Sequence, residues 1–104
     1  MPFDGANFET SSPVTQMLSD GRERVQLGWC QRSMRQPGSV CMIGSLTVSD
    51  FHTFTQAEGL VLEAIDFLGY PHRSVPGFND AAGRTRDQVL EVFDKAIELS
   101  KIVR

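Results

Sequence analysis

A chain of 104 residues has room for one domain and not for two ordinary ones. Hydrophobic residues make up 40%, nine aromatics among them, and charged residues only 22%, which excludes a disordered chain. The net charge of −3, with eight Arg and two Lys spread along the chain, excludes a generic basic nucleic-acid binder. No run reaches the roughly 18–20 apolar residues of a membrane helix.

Residues 1–12, with Pro2, Asp4, Gly5 and Asn7, read as an extended or flexible segment leading into one helical domain over 13–104. No basic stretch followed by an apolar run opens the chain, so no secretory signal is expected. Cys30 and Cys41 are then expected as free thiols in a reducing cytoplasm. A disulfide between them, closing a short loop, is the minor alternative.

Four helices are expected. Ser12 is a good N-cap and Pro13 fits the first helical position, so a helix spans about 13–27. Val14, Met17, Leu18, Gly21 and Val25 form its apolar stripe, and Gly28 reads as the left-handed residue after its end. Gln31–Ser39 lacks periodicity and closes on the turn signal Pro37-Gly38. Ser39 then caps a short buried helix from Val40 to about Thr47, with a β-strand as the competing reading. Gly44 and Ser45 would let another helix approach it closely. Thr55-Gln-Ala-Glu58 matches a capping box for a third helix, with Phe51 or Phe54 as a hydrophobic staple. Gly69 and Pro71 stop that helix. Tyr70–Arg84 reads as a packed loop, and Thr85-Arg-Asp-Gln88 as a second capping box for a helix running to about Ile102. The fold class is all-α, with four helices and a packed loop before the last.

Three fragments carry a resemblance: Gly28-Trp29-Cys30-Gln31, Cys41-x-x-Gly44-Ser45-Leu46, and Phe78-Asn79-Asp80-x-x-Gly83-Arg84-Thr85. In this order and spacing they resemble a family of small actinobacterial and actinobacteriophage proteins classed as a domain of unknown function. The resemblance covers about Val14 to Leu99. It implies a compact helical protein and brings no activity with it. This chain departs from the pattern at Arg32, where Gly is usual, at Ser45 for Ala, at Phe78 for Trp, and in a shorter connector between the two Cys.

Several groups of residues are of types that carry chemistry. Cys30, Cys41, His52 and His72 are ligand types zinc prefers, but none are paired at the short spacing of structural sites, so no metal or other cofactor is expected. Cys30 with His52 or His72 and Asp80 would make a nucleophilic triad. Buried cysteine packing as a small hydrophobe is the commoner outcome. The Phe78-to-Thr85 loop reads first as a fixed helix entry, anchored by Phe78 and closed by an Arg84–Asp80 pair, and second as one wall of a polar pocket facing Gln31. Trp29 reads as core, or as an interface anchor if exposed. No phosphate loop, Ser-x-x-Lys or His-Glu-x-x-His occurs.

The leading expectation is a cytoplasmic, non-enzymatic interaction protein, bacterial or phage-encoded, that binds a host or viral macromolecule, with an unidentified protein as the expected partner, or assembles with itself. Its candidate binding residues are Trp29, Gln31, Asn79, Asp80 and Arg84. One alternative is a ligand-binding domain or cysteine enzyme with a pocket near Cys30, Asn79, Asp80 and Arg84. Another is a local nucleic-acid binder using Arg22, Arg24, Arg32, Arg35 and Arg73. No membrane association is expected.

Overall fold

A computed structural model of the chain describes residues 12–46 and 50–102. Residues 1–11 of the expected N-terminal segment over 1–12, and Thr47 at the expected end of the short helix, lie outside them. Pro13–Leu27 is the first helix, α1. Ser12 accepts the Thr15 amide at 3.2 Å, and Pro13 opens the helix where its missing N–H costs nothing. Met17, Leu18, Gly21 and Val25 are buried along one stripe. Gly21 is there for space, since a Cβ would sit 2.9 Å from Leu46 Cδ2 and 3.3 Å from a Phe93 ring carbon.

Gly28 does not take the left-handed conformation expected of it. Its backbone is extended (φ −174°), and its lack of a side chain serves a close approach: a Cβ would fall 1.9 Å from the Gly38 carbonyl oxygen. That approach is made by a hairpin absent from an all-α reading. Arg35–Gln36 (β1) and Ser39–Val40 (β2) pair antiparallel around Pro37-Gly38, with Gly38 at φ 77° as such a turn requires. On its other side β2 forms a parallel bridge, Trp29 with Val40. The amide of Cys30 donates to Val40 O, and that of Val40 to Gly28 O. The short helix that follows, α2, spans Met42–Ser45 rather than starting at Val40, and Cys41, not Ser39, caps it by accepting the Gly44 amide on Sγ. Ser39 and Val40 are held in the hairpin instead. Gly44 meets the backbone of Met34, whose oxygen would lie 2.2 Å from a Cβ.

The longest helix, α3, runs Phe51–Phe67 and begins earlier than its expected box. Asp50 is the N-cap, accepting the His52 amide and the Thr53 hydroxyl. Thr55 lies inside the first turns, its hydroxyl donating to Phe51 O. Burial of Thr53 and Ala57 on the core side draws the start back past Thr55. Phe51 and Phe54 lie within the helix, rings 6.5 Å apart, and so cannot staple its entry. The stop is where expected: Gly69 at φ 87° donates to Asp66 O and Tyr70 to Ile65 O, a Schellman closure.

The expected loop contains a further helix, α4, Val75–Asn79, capped by Ser74 with Pro76 in its first turn. Val75 and Phe78 are buried, so packing upholds a helix that Pro and Gly conceal in the sequence. The last helix, α5, spans Arg86–Ser100 and carries the expected capping box between Thr85 and Gln88. Helices α1, α3 and α5 pack against one another. Leu18, Val25, Val61, Ile65, Val92 and Phe93 are fully buried in one shared core, and α2 and α4 close its end. The architecture is helical with a small antiparallel hairpin. Among the described residues no helix is long and apolar enough to cross a membrane.

Candidate functional site

Asn79 ends α4 and is 1% exposed. Its amide makes every hydrogen bond available to it. Oδ1 accepts the Trp29 indole N–H at 2.8 Å and the Met42 amide at 3.1 Å. Nδ2 donates to Cys30 O at 3.1 Å and to Asp80 Oδ1 at 2.9 Å. One side chain thereby joins the segment after α1, the start of α2 and the end of α4. Gln31 strengthens the joint by donating to the carbonyls of Asn79 and Ala81, each at 3.0 Å. Asp80 adds another tie, accepting the Arg32 amide at 2.8 Å.

Four of the five candidate residues, Trp29, Gln31, Asn79 and Asp80, thus meet in one network. Arg84 stands apart from it. Its guanidinium lies 3.7 Å from the centre of the Phe78 ring and 4.9 Å from that of Tyr70, while Nε donates to Phe78 O and Nη1 to Gln88 Oε1. The expected Arg84–Asp80 pair is not formed: the ring and the Phe78 carbonyl hold the guanidinium, and Asp80 Oδ1 is occupied by N–H donors. Trp29 is half-buried and packs against the core.

Beside this network is a cleft of about 330 Å³. Asn79 and Asp80 line it together with Arg32, Ser33, Met34, Cys41, Ile43 and Pro76, six residues outside the expected set. Arg32 occupies left-handed backbone at φ 63°, alone among the described non-glycine residues. Such backbone costs a residue with a Cβ about 1–2 kcal/mol. The guanidinium of Arg32 is exposed and has no hydrogen bond or ion pair among the described residues. Met34 beside it is 57% exposed.

Both cysteines are buried and unbonded. Burial pushes the Cys30 thiol above its ordinary range, and nearby Cys41 and Asp80 push the same way. That suppresses the thiolate a nucleophile requires. The thiol of Cys30 donates to Ser33 O at 3.4 Å. His72 stands edge-on to Phe78 and His52 lies exposed in the first turn of α3. Among the described residues no three His, Cys, Asp or Glu gather as a metal would need, and neither histidine joins Cys30 and Asp80 in such a group. Of the five arginines considered for nucleic acid, Arg22 pairs with Asp94 at 2.6 Å and Arg24 donates to Ser45 O. Arg32, Arg35 and Arg73 are exposed.

These features define a small helical domain in which a buried asparagine ties the segment after α1 and the start of α2 to the end of α4. The chain belongs to the family of unknown function DUF6197, whose profile matches residues 9–99. No curated protein and no solved structure matches it.

Proposed function

We propose that this chain is a non-catalytic interaction protein of the bacterial cytoplasm, encoded by an actinobacterium or its phage, that holds a protein partner at the cleft rim through Arg32 and Met34. The origin rests on the three motif fragments alone. The observation that carries the binding reading is Arg32: a strained backbone holds an unpaired guanidinium beside an exposed Met34 and an open cleft. Strain kept against an available Gly is a marker of function. Arginine and apolar anchors are also the side chains that dominate protein interfaces. The asparagine network supplies the rigid support, its polar groups being spent on the fold.

Arg32→Gly separates the two roles. Relief of the left-handed backbone raises stability by about 1 kcal/mol, while the guanidinium is lost. Capture from host lysate with tagged wild-type chain, Arg32→Gly and Met34→Ser is the test. A protein retained by wild type and lost by both variants, with Arg32→Gly melting no lower than wild type, supports the reading. Equal capture by all three overturns it. A second reading, a small-ligand site, draws on the cleft volume, which lies at the lower end of the range for ligand pockets.

A further inference from the structure

The parallel bridge between Trp29 and Val40 places the next residue of each segment side by side, and those residues are Cys30 and Cys41. Neighbouring strands run about 4.8 Å apart, and residues in register on a parallel pair project from the same face. Disulfides span Cα separations of about 4.4–6.8 Å, so the bridge sets a spacing that a disulfide fits. The field of Cys41 felt at the Cys30 thiol agrees with this proximity. The two thiols differ in access: Cys41 lines the cleft, and Cys30 does not.

We propose that Cys30 and Cys41 are a redox-modification site, forming a reversible disulfide when a small-molecule disulfide reaches Cys41 through the cleft. The Cys41 thiolate attacks one sulfur of the oxidant, forming a mixed disulfide and releasing the first small thiolate. Cys30 then gives up its proton to solvent and attacks the Cys41 sulfur, and the second small thiolate leaves. Two protein thiols and one small disulfide become one protein disulfide and two small thiols, with two electrons passing to the oxidant. Oxidation takes Cys41 Sγ partly away from the Gly44 amide it caps and ties the cleft wall to the segment after α1. It needs the cleft open to a small molecule but does not rest on the partner reading above.

Serine variants keep the local hydrogen bonds. A hydroxyl at 41 still caps Gly44, and one at 30 still donates to Ser33 O. The test incubates the folded full chain, Cys30→Ser and Cys41→Ser with oxidised glutathione and reads intact mass and peptide maps. Wild type is expected to end two hydrogens lighter, with Cys30 linked to Cys41 and no adduct, and dithiothreitol reverses it. Cys30→Ser is expected to stop at one glutathione on Cys41. Cys41→Ser is expected to react at least about tenfold more slowly, its remaining thiol lying outside the cleft lining with its pKa raised. If Cys30→Ser fails to fold by circular dichroism, Cys30→Ala takes its place. Two stable adducts per wild-type chain, disulfide-linked dimers, or no reaction while an unfolded control reacts would each overturn the assignment.

Discussion

Asn79→Ala removes the hydrogen-bonding groups of the joint while sparing the apolar core. The truncation leaves the Met42 amide and the Cys30 carbonyl without the partner they have in the folded state. Each buried polar group so orphaned costs about 1–3 kcal/mol, while the Trp29 indole, half-buried, can turn to water. The expected loss is about 3 kcal/mol, a large part of the 5–15 kcal/mol that such domains possess. For a domain of this size it lowers the melting temperature by about 12–24 °C. Urea denaturation followed by circular dichroism gives the value directly. Asn79→Asp sharpens the test: it keeps the acceptor for Trp29 and Met42 but sets a second carboxylate against Asp80 and the Cys30 carbonyl. It is expected to be at least as damaging at neutral pH and to recover partly on acidification, when protonation restores a donor. If the loop has only a structural part, partner binding falls in proportion to stability in Asn79→Ala and in Arg84→Ala. A loss below about 1 kcal/mol for Asn79→Ala would refute the claim that this side chain fixes the fold.

Two glycines in helices should respond in opposite directions. Gly59→Ala in α3, where a Cβ meets nothing within 4 Å, is expected to stabilise by about 0.5–1 kcal/mol, whereas Gly21→Ala presses on Leu46, Ser45 and Phe93 and is expected to cost about 1–3 kcal/mol; paired thermal melts check both. In α5, Thr85→Ala is expected to lose about 1 kcal/mol with its cap and Phe93→Ala about 3–5 kcal/mol by emptying a fully buried site, as denaturant midpoints will show. The Asp50 carboxyl is held below its usual range chiefly by the Thr53 hydroxyl, which outweighs the upward push of desolvation, with the amides of His52 and Thr53 adding to the lowering. Its folded pKa lies below the unfolded one, so its contribution is full above about pH 4 and is lost as pH falls through the folded value. Thr53→Ala should move the carboxyl titration upward by NMR; an unmoved titration removes this account of the α3 cap.

Local signals carried much of the fold. Ser12-Pro13, Gly69-Pro71 and the Thr85 box each specify a helix end with atoms no more than a few residues apart, and each is found in place. Elsewhere packing decided. Two cap signals stand five residues apart at Asp50 and Thr55, and burial of Thr53 and Ala57 selects the first. Val75–Asn79 carries Pro76 and Gly77 and holds its turn because Val75 and Phe78 reach the core. Strands of two residues have no period to read. At the candidate site the sequence brought forward Asn79, Asp80, Gln31 and Trp29, because Asn and Asp near a turn glycine and a tryptophan just past a helix end are legible from local chemistry. It named Arg32 only as a departure from a pattern and as one of several dispersed arginines, and passed over Met34, because the part each plays depends on a backbone angle and an exposed surface. Arg84 was drawn in by proximity along the chain, though its guanidinium spends itself on a ring.

The chain has a single tryptophan, and its indole N–H rests on Asn79. The protein therefore carries its own optical reporter, placed at the joint between hairpin and helices and away from the centre of the helical bundle. Far-ultraviolet ellipticity follows α1, α3 and α5, while indole emission follows the joint. Superimposable curves from the two signals mean that hairpin and bundle melt as one unit; an earlier emission change means that the joint opens while the helices stand. An unlabelled sample in one cuvette thus separates the cooperative behaviour of the cleft wall from that of its support.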